Sequence, residues 1–241
     1  MPSSTFTAAA PSGAASALEL LSAGAIEPGL RAAVAAFERA TGHAVHITFN
    51  TAPRLRERLQ NQPAFDAVIA PPEVIAEFGA QMSGTWAELG RVGSGVAVRD
   101  AAESPDVSTA DALKRALLEA DSVVFNRAST GLYLETLIRK LGIEDKVQAK
   151  ATRYPDGASV MEHVIAGKGR EIGVGALTEI LLYQGKGLTL VGPLPPDVQN
   201  YTNYTAAPLA SSSQQALAQQ LVSFLAGPVG KPLFVAAGVT D

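Results

Sequence analysis

The chain has 241 residues, of which 47% are hydrophobic and 17% are charged, and its formal net charge at pH 7 is −4. This composition is typical of a folded globular protein with one large domain or two lobes, and it excludes a disordered chain. The lack of cysteine excludes disulfides, thiolate metal sites and a cysteine nucleophile. Because acidic and basic residues are mixed along the chain without a basic stripe, we expect no nucleic-acid partner.

The first segment, residues 1–17, is rich in Ser, Ala, Gly and Pro and has neither a charged start nor a continuous apolar core. It therefore predicts a flexible leader rather than an intact signal peptide. No apolar run of the chain is long enough to span a membrane.

Strands and helices alternate through the next part of the chain. Hydrophobic periodicity and end signals predict a strand at 18–21, a helix from about 27 that stops at Gly42, a strand at 45–49, a helix from Pro53, and a buried strand at 67–70. This β-α-β-α-β order implies a parallel sheet with right-handed crossovers.

A second series of alternating elements follows. The predicted elements are strands at 96–98, 122–125 and 171–175, helices at 110–120, 130–141, after Asp156 and after the strand at 171–175, a Pro-rich passage at 192–196, an extended segment at 201–209, and closing helices at 213–225 and 229–237. The pattern predicts an α/β protein of two lobes, each a mostly parallel sheet flanked by helices, joined by crossings near 92–96 and 200–205. Lobe 1 would comprise residues 18–93 and 204–241, lobe 2 residues 94–203, with the ligand cleft between them.

Three of the predicted helices open on small, polar and basic residues, in the segments Asn50–Arg54, Asn126–Gly131 and Arg153–Ser159. A helix N-terminus presents unpaired N–H groups and a positive dipole end, so anions bind there. The alternative interpretation of each segment is an ordinary helix cap with a solvated arginine. Because ligands of such sheets bind beyond the carboxyl ends of the strands, we favour a cleft for a small anion.

Several short motifs, in their order and spacing, resemble the periplasmic type II solute-binding proteins, in particular the molybdate-binding branch. The motifs are Ser22–Ile26, Phe49–Leu55, Phe65–Ala70, Ser129–Tyr133, Gly173–Thr178, and the closing Gly227-Pro228, Leu233-Phe234 and Gly238. The resemblance implies the two-lobed type II periplasmic-binding-protein fold, with two hinge crossings and closure on a ligand.

The resemblance also implies a change of ligand. The molybdate binders hold the oxyanion with two serines and a tyrosine, and here those places fall at Ala25, at Ala52 or Pro53, and near Gly175. Missing donors in a dry site cost roughly 1–3 kcal/mol each. Guanidinium groups bind carboxylates in bidentate fashion, so the arginines favour an organic di- or tricarboxylate over molybdate or tungstate.

We therefore expect the ligand to be bound by residues of the helix openings and the second crossing, with no metal and no cofactor. The expected binding residues are Ser22, Ala23, Gly24, Asn50, Thr51, Arg54, Asn126, Arg127, Ser129, Thr130, Gly131, Arg153, Asp156, Gly157, Ser159 and Tyr204.

Two functions follow from the resemblance. The favoured one is an extracytoplasmic solute-binding protein that delivers the anion to the permease of an ABC-type transporter, in the periplasm after removal of an export signal. The alternative is an enzyme, periplasmic or cytoplasmic, like the aconitate isomerases of the same branch, which interconvert cis- and trans-aconitate. Its base would be Asp156, Glu179 or Tyr204, but arginines beside a carboxylate would lower the pKa of that base, so the sequence favours the binding protein.

Overall fold

The computed structural model of the protein describes residues 17–61 and 64–241, so all but the last residue of the predicted leader lies outside the described residues. The described strands are β1 (Leu18–Ala23), β2 (Val45–Asn50), β3 (Ala67–Ala70), β4 (Ala87–Arg99), β5 (Ser122–Asn126), β6 (Ala151–Tyr154), β7 (Glu171–Ala176), β8 (Leu188–Pro193) and β9 (Tyr201–Pro208). The described α-helices are α1 (Glu27–Thr41), α2 (Ala52–Gln60), α3 (Pro72–Glu77), α4 (Ala110–Glu119), α5 (Ser129–Lys140), α6 (Glu144–Gln148), α7 (Gly157–Ala166), α8 (Leu177–Tyr183), α9 (Gln215–Leu225) and α10 (Gly230–Ala236). None of these helices is both long and apolar enough to cross a bilayer.

The strands form one mixed sheet in the order β2-β1-β3-β9-β4-β7-β5-β6, with β8 paired to β4. At one end, β1 pairs in parallel with β2 and β3, and at the other, β5 pairs in parallel with β6 and β7. The two parallel groups are linked through antiparallel β9 and β4. The predicted α/β fold with two mostly parallel units is confirmed.

The apolar side chains form separate cores around the amino-terminal and carboxyl-terminal parts of β4. One core gathers buried residues from 18–92 and 204–239 together with Ala176, and we call the elements packed on it the first half. Two smaller cores gather buried residues between Val96 and Val198, and their elements are the second half. These cores support the predicted lobe boundaries, which stay a prediction.

Strand β4 is much longer than the predicted strand at 96–98. Its amino-terminal part pairs with β9, and its carboxyl-terminal part pairs with β7 and β8, so it runs through both halves. Gly90, Gly93 and Gly95 interrupt its apolar alternation, and strand interiors rarely carry so much glycine. Gly90 has a φ of 118° and lies against the backbone of Thr240, where a Cβ would not fit.

Four short elements were absent from the predicted series: α3, α6, β6 and β8. Strand β8 occupies part of the passage that prolines marked as irregular. It lies at the edge of the sheet, and Pro193 is its last residue, which is where a sheet tolerates proline. Strand β6 lies at the edge beside β5 and carries Arg153 and Tyr154, which the sequence assigned to a helix opening.

Candidate functional site

A cleft of about 570 Å3 opens where the carboxyl ends of several strands meet the first turns of the following helices. Strands β1 and β2 end at its wall in the first half, and β5 ends there in the second half. The cleft is lined by Ala23, Gly24, Ala25, Glu27, Phe49, Asn50, Thr51, Ala52, Arg54, Pro71, Asn126, Ala128, Ser129, Thr130, Pro155, Asp156, Gly157, Ala158, Glu179, Leu182, Tyr183 and Tyr204. This placement is the one that α/β sheets use for ligands.

The first half contributes the opening of α2 and the 3₁₀ turn after β1. Proline at position 53 suits the first turn of α2, since its missing N–H would have had no helical partner. Thr51 precedes the helix without a side-chain cap, so the opening N–H groups of α2 remain available to a ligand. The Arg54 side chain is 68% exposed and pairs with the 55% exposed Glu57 at 2.6 Å, a contact that solvent makes weak.

The second half contributes the opening of α5. The buried Asn126 side chain accepts hydrogen bonds from the backbone N–H groups of Ala128 (3.0 Å) and Gly131 (3.1 Å). Asn126 therefore shapes the turn rather than offering its amide oxygen to a ligand. The first residues of α5, Ser129 and Thr130, line the cleft, and the opening N–H groups of a helix have no partner within it. Their hydroxyl and N–H groups can bind one anionic group.

The opening of α7 forms the next part of the wall. Asp156 caps this helix, because its Oδ1 accepts a hydrogen bond of 2.9 Å from the backbone N–H of Ser159. Asp156 thus has the structural role that its residue type predicts at a cap, while also lining the cleft. The buried Gly157 follows it as the first helical residue.

Glu179 lies in the first turn of α8, where the two halves touch. The adjacent Thr178 donates a hydrogen bond to the carbonyl oxygen of Ala25 in the first half. Desolvation raises the pKa of Glu179 to about 7, helped by the carboxylates of Asp156 and Glu27, while the backbone N–H of Ala176 acts in the opposite direction. The residue is half-buried and lines the cleft. A carboxyl group that titrates near neutral pH can exchange protons with a bound molecule.

Two tyrosines lie on the same wall. Tyr204, on β9, is 4% exposed, and its burial, together with the nearby carboxylate of Glu179, raises its pKa well above the usual value. Burial also raises the pKa of Tyr183, at the end of α8. Both phenols therefore stay protonated at neutral pH and can only donate from their hydroxyl hydrogen or accept at oxygen.

The structure brings most of the expected binding residues to the cleft. They are Ala23, Gly24, Asn50, Thr51, Arg54, Asn126, Ser129, Thr130, Asp156, Gly157 and Tyr204. The possible base Glu179 joins them.

Five expected binding residues do not line the cleft. The Ser22 hydroxyl is buried and donates to the carbonyl oxygen of Ala23, and Gly131 lies buried against the backbone of Asn126. The Ser159 backbone serves the helix cap described above. The remaining two are arginines.

Arg127 and Arg153 were expected to bind the anion, and the structure places both away from the cleft lining. The Arg127 side chain is exposed. Arg153 pairs with Glu135 at 2.7 Å and lies over the Phe125 ring, 5.4 Å from its centroid. Because Arg153 lies in a strand, where successive side chains point to opposite faces, and not in a helix opening, the sequence could not show which face it takes. Among the described residues that line the cleft, Arg54 is the single cation.

Sequence reasoning missed Glu27 and Tyr183 as lining residues. Glu27 begins α1, and its carboxylate pairs with Arg31 at 2.7 Å. An acidic residue in a first helical turn is common and carries no sign of a site by itself. Among the described residues, no group of three or more His, Asp or Glu side chains could hold a metal ion.

The chain is similar to known proteins over nearly all of its length. The family described as bacterial extracellular solute-binding proteins matches residues 18–240. An aconitate isomerase from a Pseudomonas species is 30% identical over 220 residues, covering 87% of this chain and 82% of that protein.

Two solved structures share the fold at low identity. The periplasmic molybdate-binding protein of Azotobacter vinelandii superimposes with a TM-score of 0.76 at 19% identity, covering 93% of this chain and 99% of that one. PEB3 of Campylobacter jejuni, solved with L-phospholactate bound, superimposes with a TM-score of 0.70 at 12% identity, covering 93% and 99%.

Proposed function

Since the chain belongs to the bacterial extracellular solute-binding protein family, we propose that its cleft has been adapted to catalysis and that the protein is an isomerase of a tricarboxylate such as aconitate. The observation that carries the proposal is the Glu179 carboxyl, which faces the cleft with a pKa near 7. Similarity to an aconitate isomerase over most of both chains supports the same reaction.

The proposed reaction is an allylic proton shift. The Glu179 carboxylate removes a proton from the methylene carbon next to a carboxylate of the substrate. The electron pair of that C–H bond forms the new double bond as the old one opens, and the charge spreads into the flanking carboxylates. The protonated Glu179 then returns the proton to the far carbon of the allyl unit. One C–H bond breaks and one forms, with no oxidation.

The cleft offers groups for the remaining tasks. Arg54 can leave its exposed pairing with Glu57 and bind one substrate carboxylate in bidentate fashion. The opening N–H and hydroxyl groups of Ser129 and Thr130 can bind another. The protonated phenol of Tyr204 can donate to charge that develops during the proton shift. A pKa near 7 suits a group that must both take and return a proton at neutral pH.

The conflict foreseen from the sequence does not arise in this geometry. A base beside several arginines would have a lowered pKa, but Arg127 and Arg153 lie outside the lining and Arg54 is paired with Glu57. The pKa of Glu179 is instead raised by the desolvation of its own carboxyl and by two nearby carboxylates, against the opposing effect of the backbone N–H of Ala176. The isomerase, which was the alternative from sequence, is therefore the function we favour.

The test is to follow trans-aconitate by NMR in heavy water with the protein present. We expect cis-aconitate to appear and deuterium to enter both compounds at the allylic carbons. Glu179→Gln should lower the rate by about 10²–10⁴-fold, since general base catalysis contributes that much. Glu119→Gln, on an exposed position of α4, is the matched control and should keep the rate. Binding without isomerisation or deuterium exchange would refute the enzyme.

A solute-binding protein for an organic anion is the second candidate. It is favoured by the family and by helix openings from both halves that face one cleft, the arrangement in which a bound anion can shift an open–closed equilibrium. Such a protein would work in the periplasm and deliver its ligand to the permease of an ABC-type transporter. PEB3, with an organic phosphate and carboxylate ligand, supports an organic anion on this fold.

A thermal-shift screen distinguishes di- and tricarboxylates from molybdate as ligands of the cleft. A ligand at a hundred times its dissociation constant stabilises the protein by about 2.7 kcal/mol. Stabilisation by di- or tricarboxylates that are recovered unchanged would favour the binding protein. Stabilisation by molybdate alone would refute an organic ligand for this cleft.

A further inference from the structure

The carboxyl group of Glu179 rests against a glycine of the neighbouring helix. A Cβ placed on Gly157 would overlap three atoms of the Glu179 carboxyl: Oε2, Cδ and Oε1. The most distant of the three, Oε1, would lie only 2.6 Å from that Cβ. Any side chain at position 157 would therefore occupy the space that the carboxyl now fills.

The opposite side of the carboxyl is less crowded. A Cβ on Gly24, in the first half, would lie 3.9 Å from Glu179 Oε1, which is ordinary van der Waals contact. The Glu179 carboxyl thus lies between two glycines, and only the one on α7 has to lack a side chain. Gly157 is buried and lies in the first turn of a ten-residue helix without a positive φ, so its backbone conformation does not itself require glycine.

We propose that Gly157 is a positioning residue of the site, whose missing side chain lets the Glu179 carboxyl sit at the opening of α7 and turn its proton toward the cleft. This inference rests on the proposed function for its catalytic consequence, but its structural content concerns the carboxyl alone. The proposal gives Gly157 a role toward a side chain of the protein itself, beside the ligand role that the sequence predicts for it.

The pKa of Glu179 depends on where its carboxyl lies among the surrounding charged and polar groups. Asp156, the residue before Gly157, and Glu27, on α1, both raise the pKa of Glu179, and the phenols of Tyr183 and Tyr204 stand on the same wall. Arg54 is the cation among the lining residues, and it pairs with Glu57. A carboxyl pushed away from α7 would move into the cleft toward water, lose part of its desolvation and titrate at lower pH.

Gly157→Ala tests the inference. Real Cβ atoms do not approach other heavy atoms within 3.0 Å, so the flexible Glu179 side chain must retreat by about 1 Å while the helix accepts alanine. A displacement of that size lowers kcat by roughly 10²-fold. Because a general loss of structure could also lower kcat, the deciding readout is the titration of the Glu179 carboxyl by ¹³C NMR. Its signal is assigned by its absence in Glu179→Gln.

We expect the titration midpoint of about 7 in the wild type to fall in Gly157→Ala and to stay in Gly24→Ala, the matched glycine on the other side. An unchanged midpoint in Gly157→Ala, or an ordinary one in the wild type, overturns the inference. A midpoint that falls in a protein whose wild type does not isomerise aconitate supports the inference and refutes the proposed function instead. A failure of the inference about Gly157 is thereby distinguished from a failure of the proposed isomerase function.

Discussion

The two ends of strand β7 hold one glutamate each, and the two carboxyls behave in opposite ways. Glu171 begins the strand, and Glu179 follows its carboxyl end by three residues. Desolvation acts to raise the pKa of both. At Glu171 it is outweighed by hydrogen bonds from the backbone N–H groups of Gly169 and Lys168 and by the charge of Arg99, so the pKa falls. At Glu179 the neighbours are carboxylates, and the pKa rises to about 7.

The difference lies in what the chain supplies to each carboxyl. The loop before β7 turns its N–H groups onto Glu171, which makes that carboxylate a structural acceptor. At the cleft the helix openings bring their N–H groups to the cavity, while Asp156 and Glu27 bring charge of the same sign as Glu179. The backbone N–H of Ala176 offsets this in part, and a carboxyl with a raised pKa in a cleft is the kind of group that catalysis uses.

The pH dependence of the rate should give the largest effect. If Glu179 is the base, kcat/KM for trans-aconitate falls tenfold for each pH unit below about 7, so that at pH 5 it is about 100-fold below its plateau. Rates measured by NMR from pH 5 to 9 check this. Glu171→Gln should give the same profile as the wild type, since Glu171 is outside the cleft lining. A flat profile between pH 5 and 8 would contradict the assignment of the base.

Stability should change in opposite directions for the two glutamates. The pKa of Glu179 is raised from 4.5 to about 7 in the folded state. Its contribution to the unfolding free energy is therefore fully present below pH 4.5 and is lost as the pH rises through 7. This loss amounts to at most about 3 kcal/mol. Glu179→Gln has no carboxyl to ionise, so its unfolding free energy should not fall with rising pH in this way. The variant should be more stable than the wild type at pH 8, but not at pH 5.

For Glu171 the folded pKa is lowered, so its contribution is present above the unfolded value and lost as the pH falls through the folded one. Glu171→Gln should therefore cost about 1–3 kcal/mol at pH 8, because two backbone donors lose a charged acceptor. Urea unfolding at pH 5 and pH 8 measures both variants. A Glu179→Gln effect that is equal at the two pH values would count against the raised pKa.

Two arginine variants test whether the cleft lining defines the ligand site. Arg54→Ala should weaken carboxylate binding by about 10- to 100-fold, as expected for a lost hydrogen bond between charged groups. The unfolding free energy should change little, since its pair with Glu57 is exposed. Arg127→Ala is the control, and its affinity by calorimetry should stay within about twofold of the wild type. Equal losses in both variants would show that the cleft lining alone does not define the site.

The smallest effect is expected from Glu57→Gln. This change frees Arg54 from its partner, and an exposed pair is worth at most about 1 kcal/mol, so affinity should rise by up to about fivefold. Stability should stay within about 0.5 kcal/mol of the wild type. Weaker binding in this variant would mean that Glu57 contacts the ligand instead of competing with it.

Hydrophobic periodicity was enough to predict most long elements of the fold. Helix α5 and strands β1 and β5 fall within two residues of their predicted ends, because their burial follows directly from apolar spacing. The short edge elements β6 and β8 escaped prediction, since an edge strand needs little hydrophobicity and tolerates proline. Strand β4 was predicted only in its apolar end, because glycines hide the rest.

The candidate site was predictable in its backbone and not in its charges. The helix openings at Asn50–Thr51, Ser129–Thr130 and Asp156–Gly157 were found because cap residues and strand ends have local signals. Arg153 does not line the cleft but pairs with Glu135, an acid distant in sequence on α5. No local pattern records such a partner.

The sequence by itself determined the alternation of strands and helices and the polar helix openings, because both depend on neighbours within a few turns. It also carried the family resemblance, in motifs spread along the chain. Only the tertiary structure decided that Arg54 lines the cleft without Arg127 and Arg153, and that Glu179 meets Gly157, Asp156 and Glu27. The physical reason is that a pKa depends on desolvation and on charges brought together from distant parts of the chain. Those distances exist only after the two halves have packed.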